Sequence, residues 1–190
     1  MMVWAWLMVC SLGMMGATYQ MVGELGSSAS MIGLGNVYGF EKSASVVMNN
    51  PAGLGRLDGV SAGTFYTELM NGEIVYKTVA MGLRTHVGVF AIGWMSSGVE
   101  DLPITADIDG ALVQTGRFDV QNQMMKVGYA VDVMPRVTLG ASVVGFRHEI
   151  GSVDATAMNA DVGLWVRTNR MGVSAVLQNV LFWEDMVYSN

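Results

Sequence analysis

Apolar and polar residues alternate in short segments from residue 58 onward, with turn residues between the segments. In the segment 137–143 the odd positions are apolar and the even positions are small or polar: Val137, Leu139, Ala141 and Val143 against Thr138, Gly140 and Ser142. A period of two predicts strands with one apolar face and one small or polar face. Seven such strands are predicted, at about 58–69, 73–83, 86–95, 118–131, 136–147, 154–167 and 170–180.

The lengths of these segments and of their connections favour a barrel that crosses a membrane. A strand of about 11 residues tilted by ~45° spans about 25 Å, the height of the apolar band of an outer-membrane barrel. Short connections at 84–86, 132–135 and 168–169 alternate with those at 70–72, 96–117 and 148–153, of which 96–117 is long and acidic. Short turns on one side and longer loops on the other are typical of such barrels. An aromatic girdle is expected near the outer strand ends: Trp94, Phe118, Phe146 and Trp165, although Trp165 shares the face of Asp161.

Composition supports a membrane location without spanning helices. The 190 residues suffice for one domain, and 52% of them are hydrophobic whereas only 14% are charged, against about 25% charged in soluble domains. No run of about 20 apolar residues follows residue 17. The net charge of −6 argues against nucleic acid as a partner, because such binding needs a basic surface.

The first 57 residues divide into two segments. Residues 1–17 are apolar and end in Gly16 and Ala17, as in a Sec-type signal peptide. The apolar run has no Lys or Arg at its start, which a signal peptide usually has. A membrane anchor or a mis-assigned start therefore also fits. Residues 18–57 are rich in Ser, Gly and Ala and lack a period of two. They predict either a plug inside a barrel lumen or a flexible exported N-terminus.

A proline and several glycines between Asn49 and Gly59 predict a sharp reversal of the chain. Pro51 has a fixed φ and no N–H to give to a sheet or a helix interior. Gly53 and Gly55 permit positive φ, so these residues are expected to turn the chain before the first strand.

No arrangement of residues points to catalysis, a metal or a cofactor, so the chain is predicted not to be an enzyme. The glycines of "GLGNVYG" have one residue too many for a dinucleotide fingerprint, and Cys10 is the only cysteine. The polar candidates on the lumenal face are Asn159 and Asp161, with Arg147 expected nearby on the adjoining strand. An ion pair among them would hold the plug; the alternative is an ordinary polar wall.

Several motifs resemble those of the FadL-like outer-membrane proteins, including PorV/PorQ-type proteins and uncharacterised spirochaete members. "SASMIGLGNVYGFEKSASVVMNNPAGLG" is similar to their N-terminal signature, and "VGYAVDVMPRVTLGASVVGF", "NADVGLWV" and "GVSAVLQNV" are similar to later strands. The resemblance implies a transmembrane antiparallel meander β-barrel at residues 58–190, plugged by residues 18–57. By the same resemblance, the turn of the plug, called the hatch turn below, corresponds to Asn50, Pro51, Ala52, Gly53 and Leu54.

The resemblance also implies a truncated or interrupted copy. Family barrels typically have about fourteen strands, and seven is an odd number for a bacterial barrel. An open sheet would expose unpaired edges to lipid. A missing C-terminal half or a second chain is therefore expected to complete the barrel.

By resemblance, the activity is outer-membrane transport of hydrophobic small molecules such as long-chain fatty acids. The alternative is a non-transporting barrel that serves as a structural or secretion-system partner, as PorV-type relatives do. A soluble secreted β-sandwich is a third interpretation, which predicts extraction without detergent.

Overall fold

The computed structural model describes residues 25–108, 111–181 and 187–189, and the side chains of 106–112 and 187–189 are not considered. The predicted signal segment 1–17 and the start of segment 18–57 lie outside the described residues.

Seven strands form an antiparallel meander in which each strand pairs with the next along the chain. They form an open half-barrel, and a short eighth strand pairs with the sixth. The predicted all-β meander is confirmed at this level. The strands are β1 Val60–Leu69, β2 Ile74–Thr85, β3 Gly88–Ile108, β4 Ala111–Met134, β5 Val137–Ile150, β6 Val153–Arg167, β7 Gly172–Leu177 and β8 Val187–Ser189.

The two ends of the half-barrel differ in their connections. Two-residue turns join β2 to β3 and β4 to β5, and a four-residue turn joins β6 to β7; we call this the turn end. The opposite end, the hairpin end, carries the β1–β2 turn Met70–Gly72, the β3–β4 hairpin and the β5–β6 turn.

Strand register places the apolar positions in continuous rows on the outer face. One row runs through direct cross-strand partners on β2, β3, β4 and β5, namely Met81, Ile92, Val127 and Val143. All four side chains are exposed. The alternating small or polar positions, such as Gly128 and Ser142, are buried on the inner face.

The predicted long connection at 96–117 is wrong, because most of it forms a β-hairpin. β2 pairs with β3 only as far as Val99, and β5 pairs with β4 only from Val120. The hairpin therefore extends beyond the neighbouring strands and pairs only with itself, with register shifts after Val99 and Ile104. The described side chains of this extension are exposed or half-buried, so no buried face imposes a period-two pattern, and its acidic residues are typical of a loop.

Residues 25–57 pack against the inner face of the sheet through three short helices. These are α1 Ala29–Gly33 and the 3-10 helices Ala44–Met48 and Pro51–Arg56. Val46, Val47 and Leu54 are fully buried in one cluster with strand residues that include Tyr76 and Met95. Among the described residues, no helix has the length and apolarity needed to cross a membrane.

Candidate functional site: the inner face and the buried turn

The predicted hatch turn is a buried 3-10 helix. Pro51 is its first residue, where a missing N–H costs nothing, and the side-chain Oδ1 of Asn50 accepts a 2.9 Å hydrogen bond from the Ala52 N–H as the N-cap. Asn50, Ala52 and Leu54 are completely buried. The proline and asparagine therefore encode a capped helical turn.

Gly53 and Gly55 have a different role from the one predicted, because neither adopts a positive φ. A Cβ on Gly53 would lie 2.4 Å from Cγ2 of Val46, and one on Gly55 would lie 2.5 Å from Cγ2 of Thr138. These glycines allow close packing, whereas the positive φ of this region belongs to Gly59. The expectation failed because a 3-10 helix reverses the chain with ordinary dihedral angles.

Side-chain amides tie Asn49 and Asn50 to β7 and the residue after it, more than 120 residues away in sequence. Nδ2 of Asn50 donates to Oγ of Ser174 at 2.8 Å and to the Ala175 carbonyl at 3.1 Å. Nε2 of Gln178 donates to the Asn49 carbonyl at 3.2 Å. Because these groups are buried or half-buried, breaking such a bond leaves a polar group without water to replace its partner.

Inner-face glycines let the turn lie directly on the strands. A Cβ on Gly140 of β5 would be 2.3 Å from the Ala52 nitrogen, and one on Gly163 of β6 would be 2.0 Å from Oδ1 of Asn50. Gly140 and Gly163 are direct cross-strand partners. Together they form a backbone-lined surface that fits the turn.

An ion pair is buried on the inner face beside the turn. Nζ of Lys126 on β4 lies 2.7 Å from Oδ2 of Asp161 on β6, and their side chains are only 4% and 1% exposed. Oδ2 of Asp161 also accepts from Oγ of Ser142 at 3.3 Å, and its Oδ1 accepts from the Asn179 N–H at 3.0 Å. The pair links β4, β5, β6 and the segment after β7.

Neither of the other two predicted polar residues joins this ion pair, although Asn159 lies on the inner face two positions from Asp161. Oδ1 of Asn159 accepts from the Leu181 N–H at 2.9 Å. Arg147 is half-exposed and pairs with Glu149 and with Asp154, to which Nη2 lies 2.9 Å from Oδ2. The expected proximity of Arg147 to Asp161 is therefore not found, because Arg147 opposes Thr156 in the register, five positions from Asp161 towards the hairpin end.

Lys126 was not among the predicted site residues, although the sequence contains a signal for it. Its position has the parity of Gly128 and Ala130, which is the small inner face of β4. A lysine there requires a partner, because a buried charge is stable only when paired. The partner was hidden because it lies two strands away in the sheet.

The beginning of the described segment is fixed by hydroxyl groups of β2. The Tyr76 hydroxyl donates to the Gly26 carbonyl at 2.9 Å, and Oγ1 of Thr78 donates to the Ser27 carbonyl at 2.7 Å. Residues 26–57 are therefore held at both ends, by β2 and by β7.

Within the described ranges, no group of three or more His, Cys, Asp or Glu side chains is placed to hold a metal ion. The contacts on this inner face are hydrogen bonds, close packing at glycines and an ion pair. Contacts of this kind hold residues 25–57 in place against the strands. Comparison with known proteins finds no matching family model, no matching curated protein and no matching solved structure.

Proposed function

We propose that this chain supplies membrane-spanning strands of a FadL-like outer-membrane barrel that transports hydrophobic small molecules such as long-chain fatty acids. The observation that carries the proposal is an inverted surface. Large apolar side chains are exposed over the outer face of the strands, whereas the inner face buries an ion pair and polar side chains together with an apolar cluster.

The outer face has the chemistry of a surface in contact with lipid. Met81, Val127, Val143 and Val162 are each between 46% and 56% exposed, on four different strands. Soluble monomers rarely expose a continuous apolar patch larger than a few hundred Å². A lipid environment removes this cost, since the surrounding acyl chains are themselves apolar.

The packing of residues 25–57 supports a plug. Both ends of this segment are held by side-chain hydrogen bonds, from Tyr76 and Thr78 on one side and from Asn50 and Gln178 on the other. Passage of a hydrophobic molecule then requires this segment to shift relative to the wall.

Two sheet edges need further strands in lipid. Among the described strands, β1 pairs only with β2, and β7 pairs only with β6. An unpaired edge leaves backbone N–H and C=O groups without partners, which is prohibitive in the hydrocarbon region. We propose that strands outside the described residues, from this or another chain, cover both edges.

The hairpin extension favours a second candidate function, in which the barrel binds a protein partner and transports nothing. This two-stranded extension carries Glu100 and Asp101, and no other described strand pairs with either of its sides. A projecting hairpin with exposed acidic and apolar side chains, such as Asp101, Ile104 and Val113, presents an accessible surface to another protein.

Val127→Lys tests the lipid-facing surface. Val127 is 52% exposed and lies in the middle of the apolar row, where a lysine in a bilayer costs about 2–4 kcal/mol. We expect the variant to insert into liposomes less completely than the wild type, measured as the fraction resistant to carbonate extraction.

Val133→Lys is the matched control, because Val133 is exposed beside the turn end of the same strand, where the cost falls to about 0–1 kcal/mol. If the chain is a soluble sandwich, Val127→Lys will instead increase solubility and the wild type will remain in the aqueous fraction without detergent.

Asn50→Ala tests transport and the plug together. It removes the N-cap and both bonds to β7, a loss of about 1 kcal/mol or more. We expect liposomes that carry the completed barrel with this variant to take up radiolabelled oleate severalfold faster than liposomes that carry the completed wild-type barrel.

Gln114→Ala, on the exposed hairpin, is the control and should leave uptake unchanged. Oleate uptake no faster than into empty liposomes, by wild type and variant alike, would refute transport and leave the partner-binding function.

A further inference from the structure

A basic pocket lies at the turn end of the half-barrel. Its volume is about 460 Å³, within the range of small-molecule sites. Half of the ten basic residues of this acidic chain line it, with only two acidic residues among them. The basic residues are Lys42, Arg56, Arg84, Arg136 and Arg167.

Two of these arginines are fixed by the backbone of the buried segment. Nε of Arg84 donates to the Leu57 carbonyl at 2.6 Å, and Nη1 of Arg56 donates to the Phe40 carbonyl at 2.5 Å. The Arg56 guanidinium also lies 5.1 Å from the ring centre of Trp165. Positive charge is thereby positioned before any ligand arrives, which lowers the entropic cost of binding.

The other three lining cations, all of them exposed, have no acidic partner among the described residues. Of the two lining carboxylates, Asp132 pairs with Arg84 at 3.5 Å, whereas no described carboxylate lies within ion-pair distance of Lys42, Arg136 or Arg167. Burial lowers the pKa of Arg56, and the neighbouring charge of Arg167 lowers it further. The positive charges that line the pocket repel one another, and a bound anion would reduce this repulsion.

A buried donor without a partner adjoins these cations. Trp165 lines the pocket and is 7% exposed, and its indole Nε1 has no hydrogen-bond partner among the described residues. An indole N–H is only a donor, so the group that satisfies it must be an acceptor. The prediction that Trp165 belongs to an outer aromatic girdle is wrong, because Trp165 lies on the inner face at the turn end.

We propose that this pocket binds a phosphate monoester, either free or as the headgroup of an amphiphile. Three unpaired cations match a dianion better than a singly charged carboxylate, and arginine forks suit phosphate oxygens. The volume exceeds what phosphate alone needs, and Met134, Pro135 and Val137 provide an apolar wall for the attached organic group.

Isothermal titration of the detergent-solubilised full chain tests this site with three probes: glycerol 3-phosphate, dihexanoyl phosphatidic acid below its micelle concentration, and hexanoate. We expect one or both phosphate probes to bind at least about tenfold more tightly than hexanoate, with affinity falling as salt rises. Tighter binding of phosphatidic acid identifies a lipid headgroup as the source, and equal binding identifies the free ester.

Arg136→Gln and Arg167→Gln are each expected to weaken phosphate binding about tenfold, and Trp165→Phe about threefold because it removes only the N–H. Arg170→Gln is the matched control, since Arg170 is exposed nearby and does not line the pocket. Circular dichroism checks that each variant is folded. Hexanoate binding as tight as phosphate binding, no phosphate binding, or equal weakening by Arg170→Gln would overturn the proposal.

Discussion

Lys126→Met is expected to lower the free energy of unfolding by about 3–5 kcal/mol, the usual result of removing one partner from a buried ion pair. The Asp161 carboxylate would keep its hydrogen bonds from Ser142 and Asn179, yet its charge would have no counterion in a site that is 1% exposed. Guanidinium unfolding in a fixed detergent, followed by far-ultraviolet circular dichroism, measures the loss.

The double variant Lys126→Met with Asp161→Asn distinguishes the loss of the ion pair from a loss of side-chain packing. An asparagine carries no charge and its Oδ1 still accepts a hydrogen bond, so we expect the double variant to recover most of the lost stability. Arg147→Gln serves as the surface control and should change stability little, because its ion pairs are exposed to solvent. Additive losses in the double variant would show that the two charges do not interact.

Gly140→Ala is expected to destabilise the packed segment by about 1–3 kcal/mol or more, the cost of overpacking. The new Cβ would lie 2.3 Å from the Ala52 nitrogen and 2.4 Å from the Pro51 carbonyl carbon. These are backbone atoms, so no side-chain rotation relieves the clash. Displacement of the turn should expose Arg56, and the rate of trypsin cleavage after Arg56 measures it.

Gly145→Ala provides a control of opposite sign on the same strand. Nothing lies within 4 Å of a Cβ at Gly145, so alanine there should be neutral or stabilise by about 0.4–1 kcal/mol through the unfolded chain. If trypsin cleaves the Gly140→Ala variant after Arg56 as slowly as the Gly145→Ala variant, then the turn does not pack on β5 in solution.

The close contact at Gly140 and the buried pair of Lys126 with Asp161 differ in how far the sequence reveals them. The close contact at Gly140 follows from a predicted small-residue face, although the residues that fill it were not predictable from spacing. Lys126 and Asp161 were each visible as polar residues at inner-face positions. Their pairing was not, since it spans two strands and 35 residues.

Arg147 shows why strand identity alone does not define a site. It was expected beside Asp161 because both occupy adjoining strands. The register instead places Arg147 opposite Thr156 and Asp161 opposite Ser142. Thr156 and Asp161 are five positions apart on β6, and each position advances the strand by about 3.3 Å. This distance separates the exposed Arg147 from the buried pair.

The sequence by itself determined the strands and the two faces of the half-barrel, because an alternation of period two converts directly into side-chain direction along an extended chain. It also determined that the chain reverses at Asn50 and Pro51, because proline and a capping asparagine act locally. Only the tertiary structure decided that Gly53 and Gly55 serve packing, that Lys126 neutralises Asp161, that residues 96–117 continue the sheet, and that basic residues from distant segments meet beside Trp165. These outcomes depend on register and curvature, which bring together groups that no local spacing relates.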